Sequence, residues 1–168
     1  MTTIHDDLLA AKTLVYDANG FTSSQPVPEA ESAEYAAHAF TVDGRSVRFR
    51  VAKTTPTKLG QFVTVWKRIG SGPIQPFDAA DPVDLFVIST RDADGFGQFV
   101  FPREVLRERG IVSTDGAGGK RAFRVYPPWV TTISRQAGST QKWQTRYFLS
   151  VPGDGLVDGE RARGLYHP

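Results

Sequence analysis

The stretch "VAKTTPTKLGQFVTVWKR" (residues 51–68) decides how the chain folds and where its charge gathers. Thr55 fits a helix N-cap and Pro56 the first helical position. Leu59, Phe62, Val63 and Trp66 follow the i, i+3, i+4, i+7 spacing of a buried helical face. A helix is therefore expected to start after Lys53. The same stretch carries Lys53, Lys58, Lys67 and Arg68 and no acid. A lysine in a first helical turn opposes the positive end of the dipole, unless an anion binds between them. An anion site is therefore expected at the strand-to-helix corner Thr54–Lys58. The alternative is a solvated lysine on an exposed turn. Lys67 and Arg68 at the far end also suit a helix C-terminus for dipole reasons alone.

Upstream, "YAAHAFTVDGRSVRFRVAK" (35–53) places Asp43–Gly44 between two alternating runs, which signals a hairpin with a tight turn. Val47, Phe49 and Val51 face one way, Arg48 and Arg50 the other. Further back, "LLAAKTLVYDANGF" (8–21) reads as a helix ending near Asn19–Gly20. Downstream, "VDLFVIST" (83–90) is a nearly continuous apolar run, as expected of a central strand. "FGQFVFP" (96–102) is a second strand, and Pro102 starts a short helix closed by Gly110. "RAFRVYPPW" (121–129) is a strand stopped by Pro127, and "STQKWQTRYFL" (139–149) a helix capped by Ser139. The segment after Pro152, rich in glycine and charge, is expected to be loosely held.

These elements predict an α+β (mixed α/β) fold. Residues 1–150 form a single domain with a mainly antiparallel central sheet flanked by helices, and 151–168 form a tail. At 168 residues the chain can bury one ordinary core. It has no cysteine, which excludes disulfides, a thiolate nucleophile and Cys-ligated metal. The opening "MTTIHDDLL" is acidic, and no 18-residue apolar window occurs, so neither a leader nor a membrane span is expected. The expectation is a cytoplasmic protein with no membrane partner.

The net charge of +2 hides segregation. Residues 45–68 hold seven basic residues and no acid, and residues 103–146 nine basic against three acidic. Residues 1–44 hold seven acids against one lysine. If folding joins the basic blocks, one face is positive on a nearly neutral molecule; the acids could equally pair with them. In the second block cations alternate with rings. Lys120, Arg121 and Arg124 could meet phosphates, while Tyr126 and Trp129 could stack on a base. Lys142 and Arg146 lie at i, i+4, and Gln141 and Gln144 could hydrogen-bond a base edge. Trp143 is either core or a further stacking ring. A divalent-metal nuclease needs carboxylates and often a lysine on one phosphate. Glu31 and Glu34 with Lys53, and Asp84 beside them, could supply that set; solvated acids are the alternative. The phosphate loop GxxxxGK[ST], GxGxxG after a strand and HExxH are all missing.

"EAESAEY", "RFRVAKTTPTKLGQFVTVWKR", "FVFPREVL", "GKRAFRVYPPW" and "STQKWQTRYF", in order from Glu29 to Phe148, together resemble the MepB-like family of small bacterial proteins. The family takes its name from a locus encoding a multidrug efflux pump. The order helix, hairpin, helix, strand also looks like a restriction-endonuclease-like core. There an acid–x–lysine motif would put its lysine at Lys53, but Val51 stands where the acid belongs. By that likeness a PD-(D/E)xK-like metal site would be degenerate or relocated.

The leading expectation is nucleic-acid or nucleotide binding. Arg50, Lys53, Lys58, Lys67 and Arg68 would meet phosphates, and Lys120, Arg121, Arg124 and Lys142 would extend that surface. Tyr126, Trp129 and Trp143 would offer rings. The first alternative is a metal-dependent nuclease using Glu31, Glu34 and Lys53 with Mg or Mn. The second, implied by the family's namesake locus, is a small-molecule-binding accessory protein.

Overall fold

A computed structural model describes residues 4–168. The chain opens with α1 (Asp6–Ala10), which runs on through a π-helical segment, Ala11–Tyr16, and a 3-10 turn, Asp17–Asn19. It ends at Gly20, as the Asn–Gly signal predicts. After the short edge strand β1 (Val27–Pro28), β2 (His38–Val42) and β3 (Arg45–Val51) form the predicted hairpin, with Phe40 opposite Val47. Asp43 (φ 49°) and Gly44 (φ 81°) both take positive φ, as a two-residue turn matched to strand twist requires.

The chain from 52 to 84 departs from expectation. In place of a helix it forms β4 (Lys53–Thr54), β5 (Gln61–Thr64), β6 (Trp66–Lys67) and β7 (Gln75–Pro76). β8 (Leu85–Asp92) and β9 (Gly95–Pro102) follow, then α2 (Arg103–Glu108), β10 (Ala122–Val125) and α3 (Arg135–Gln144). α3 is capped by Ser134, whose hydroxyl accepts from Ala137 N–H, five residues before the expected Ser139. β11 (Phe148–Ser150) and α4 (Gly159–Tyr166) complete the chain.

Six strands make the central sheet in the order β1-β2-β3-β8-β9-β11. Its pairings are antiparallel except β3 with β8, which run parallel with Phe49 beside Val87. A parallel pair needs a long crossover. Here β4 to β7 supply it, so the helix–hairpin–helix–strand order behind the endonuclease-like expectation is absent. β10, β5 and β4 form a second, three-stranded antiparallel sheet; β6 and β7 form a small ribbon.

The central sheet is covered on both faces, which explains why β8 is apolar without alternation. On one side Leu85, Val87 and Val100 pack with Tyr16, Phe40, Phe49 and α4 residues Leu165 and Tyr166. On the other, Phe86, Ile88, Phe99 and Phe101 meet Val63 and Val125 of the second sheet, with Leu106 and Trp143. The segment expected to be loosely held thus closes one core. Tyr166 is fully buried, its ring edge-on to Tyr16 at 5.2 Å and their hydroxyls 2.9 Å apart. Among the described residues no helix is long and apolar enough to cross a membrane.

Candidate functional site

The second sheet turns one face to the core and one outward. Val63 and Val125 point in and are fully buried. The next rung points out. Lys53 of β4 is registered with Phe62 of β5, and Phe62 with Arg124 of β10. Cross-strand partners share a face, so Lys53, Phe62 and Arg124 form one transverse row. This row joins the two basic blocks, bringing together Lys53 and Arg124, 71 positions apart in sequence.

Rings and cations alternate around it. The Lys53 ammonium lies 4.7 Å from the Tyr35 ring centroid, and the Arg124 guanidinium 5.8 Å from that of Phe62. Tyr35 and Phe62 meet edge-on at 6.3 Å. Desolvation, then the charge of Glu34, pushes the Tyr35 hydroxyl pKa up. Arg124 donates to Thr55 Oγ1 (2.7 Å) and to the Leu59 carbonyl (3.2 Å), tying β10 to the β4–β5 connection. That connection turns at Gly60 with φ +75°, and a Cβ there would lie 2.7 Å from the Tyr126 ring. Tyr126 therefore packs on bare backbone at the end of the row.

β10 is an edge strand, and α3 lies along its open side. Buried Gln144 donates to the Arg124 carbonyl (2.8 Å) and accepts the Tyr126 N–H (2.9 Å). Gln141 donates to the Pro127 and Val130 carbonyls. Both amides expected to read a base edge instead hold backbone. Between β10 and α3 lies a cavity of about 330 Å³. Arg109, Lys120 and Arg124 line it with Phe123, Tyr126 and Trp143, and no acid does. The Arg109 guanidinium sits 5.0 Å from the Trp143 ring centroid.

Other expected site residues lie elsewhere. Arg50 does not face solvent. It is on the sheet face that the crossover covers, fully buried, with Nη2 2.7 Å from Glu29 Oε2. Arg48 pairs with the same carboxylate. Lys58 is exposed on the turn before Gly60, so the expected helix-end anion site at Thr54–Lys58 is absent. Lys67 is bound to Asp81 at 2.7 Å, and Arg68 is exposed, 5.7 Å from the Trp66 ring. Trp129 donates from Nε1 to Asp92 (2.8 Å), packs edge-on against Phe148 and lines a different cavity. Trp143 is 8% exposed, against Phe101. Arg121 and Lys142 are exposed and outside the groove lining. Glu34 is exposed, while Glu31 lines a cavity with Arg48 and Lys67. Among the described residues no group of three or more His, Asp or Glu side chains gathers closely enough to hold a metal ion, so Glu31, Glu34 and Asp84 do not converge.

Sequence reasoning missed three residues of this region: Tyr35, Phe62 and Arg109. The i, i+3, i+4, i+7 spacing places Phe62 on a helical core face. The available signal was alternation through Gln61-Phe62-Val63-Thr64-Val65, which turns every second residue outward. For Arg109, next to the helix-ending Gly110, no sequence signal distinguished a site residue from an ordinary helix end.

The comparisons agree with this architecture. The MepB-like family model matches residues 29–150. A solved structure described as the crystal structure of MepB superposes with a TM-score of 0.73 at 40% sequence identity, covering 76% of this chain and 86% of that one. A comparison with curated proteins found no match.

Proposed function

This chain belongs to the MepB-like family, and we propose that it binds single-stranded nucleic acid on the outer face of its three-stranded sheet. The observation that carries the reading is the row Lys53–Phe62–Arg124, with Tyr35 and Tyr126 at its flanks. Single strands are held where cations track the phosphates and exposed rings stack on bases, because every base has a π-face. The outward sheet face supplies both, since cross-strand neighbours present their side chains together; Phe62 is half-buried there, with Tyr35 against its edge and Thr64 bonded to Ser32. A duplex hides its bases from such a platform. Phe62 is the stacking ring, Lys53 and Arg124 the phosphate contacts on either side, and Lys58 a further cation at the rim. A cysteine-free chain with such a partner fits a cytoplasmic site of action.

The test is binding of fluorescent single-stranded DNA and RNA to wild type and Phe62→Ala. Stacking on one ring contributes ~1–3 kcal/mol per base, so Phe62→Ala weakens binding by roughly 5- to 150-fold. Equal affinity for the two proteins, or tighter binding to a duplex of the same length, contradicts the reading.

A further inference from the structure

We propose that the groove between β10 and α3 is a separate subsite for one nucleotide carrying a terminal phosphate. The inference rests on the nucleic-acid reading of the neighbouring sheet face and specifies which part of the ligand this groove takes. Three observations carry it.

The first is charge. Arg109, Lys120 and Arg124 line the groove and no carboxylate does. The Arg124 guanidinium gives two of its five N–H groups to the neutral acceptors Thr55 and Leu59 and keeps its charge for a phosphate. Among the described residues, Arg109 and Lys120 have no carboxylate within ion-pair distance, although the protein's acids and bases are nearly balanced in number. A phosphodiester inside a strand carries one charge, whereas a phosphate monoester carries about −1.5 to −2 at neutral pH. A cationic groove without acids favours the more highly charged group.

The second is size. At about 330 Å³ the groove falls at the lower end of the ~300–1,000 Å³ range of small-ligand pockets. That suits one nucleotide rather than a stacked run. The third is continuity. Arg124 and Tyr126 border both the groove and the outer row. A strand lying on the sheet could therefore place its last nucleotide in the groove, with the base against Tyr126 or Phe123 and the phosphate toward Lys120 and Arg109.

The same chemistry is offered by a free nucleoside monophosphate and by the phosphorylated end of a strand. The experiment compares both. Short single strands of one sequence, with a 5′-phosphate, a 3′-phosphate or hydroxyls at both ends, are titrated by anisotropy. Free nucleoside monophosphates are titrated by calorimetry and by tryptophan fluorescence, since Trp143 floors the groove.

The expected result is a preference of about tenfold or more for one phosphorylated end over the hydroxyl-ended strand, the scale of charge-assisted hydrogen bonds. The preference falls to near unity in Lys120→Ala and Arg109→Ala and is largely restored in Lys120→Arg. Phe62→Ala weakens all strands alike and keeps the ratio. Free nucleotides that bind wild type but not Lys120→Ala, in a protein that binds no strand, would uphold the groove and overturn the sheet-face reading. Equal binding of all three strands, with no binding of free nucleotides, would overturn the groove and leave the sheet face standing. A terminal-phosphate preference that survives in the double variant Arg109→Ala/Lys120→Ala would also overturn it.

Discussion

At the scale of single residues, Arg50 separates a charge that holds the fold from one that holds a ligand. β-alternation correctly sets Arg48 and Arg50 opposite Val47 and Phe49. It cannot say that the second face is covered as well, because the cover comes from residues after the strand. Arg50 is therefore a fully buried cation whose counter-charge is Glu29, twenty-one positions earlier. Burial pulls its pKa down and Glu29 opposes that shift. Removing one partner of a buried pair leaves the other uncompensated, at a cost of ~3–5 kcal/mol. Glu29→Ala should lower the unfolding free energy in urea by about that much. Its strand affinity, measured while folded, should match wild type.

Asp78 makes a second prediction at this scale. Its carboxylate accepts from the Gly116 and Ala80 N–H groups and the Ser113 hydroxyl, and these hold its pKa down to about 2. A lowered folded-state pKa contributes stability that is complete above the ordinary value of 3.8 and is lost as pH falls toward 2. Asp78→Asn should be less stable than wild type at neutral pH. Its urea midpoint should also fall less between pH 4 and pH 2. A variant with the full wild-type acid response would place the titrating group elsewhere.

At the scale of elements, the decisive segment is residues 51–68. The spacing of Leu59, Phe62, Val63 and Trp66 fits a helix, yet the chain forms β4, β5 and β6. Two features outweigh that spacing. Gly60 falls inside the supposed helix, where it costs ~1 kcal/mol relative to alanine. Thr54, Thr55, Thr57, Val63, Thr64 and Val65 are β-branched, which favours the pleated conformation. Gln61 then fixes β5 against the end of β8: its Nε2 donates to the Arg91 carbonyl (2.8 Å) and Thr54 Oγ1 (3.1 Å), and its Oε1 accepts from Thr90. The strand assignment of 61–66 was legible from alternation. The pairing of β5 with β10 was not, because it depends on contacts across sixty residues. The hairpin at Asp43–Gly44 needed only local turn chemistry and came through intact.

Gly60→Ala tests this arrangement. A left-handed conformation costs a non-glycine residue ~1–2 kcal/mol, and the added methyl would meet the Tyr126 ring at 2.7 Å. Thermal or urea unfolding should register at least that loss. Because the displaced ring borders the row, strand affinity should fall too. A neutral Gly60→Ala would mean that Tyr126 is not seated on this turn.

At the scale of the whole molecule, two cores on opposite faces of the central sheet divide the work. The core closed by α1 and α4 is architectural. The other presents the second sheet, and with it the proposed site. Tyr166, near the end of the chain, joins its hydroxyl to Tyr16 and donates to Gln98 beneath the sheet. Deleting so large a buried ring costs ~3–5 kcal/mol, so Tyr166→Ala should be severely destabilised. Tyr166→Phe, which keeps the ring and loses the buried hydrogen bonds, should lose ~1–3 kcal/mol. The composition of this tail signalled looseness, while its anchors, Ala162, Leu165 and Tyr166, are spaced at i, i+3 and i+4.

In single-strand binding on this face, the row Lys53–Phe62–Arg124 meets the phosphates and bases of the strand. The most direct test is the salt dependence of single-strand binding in wild type and Lys53→Ala. Each phosphate neutralised on a single strand contributes about −0.7 to the slope of log K against log salt. Contacts from Lys53, Lys58 and Arg124 therefore predict a wild-type slope of about −2, made shallower by about 0.7 in Lys53→Ala. Binding that ignores salt, or a slope unchanged by removing Lys53, would rule out phosphate contact through this row.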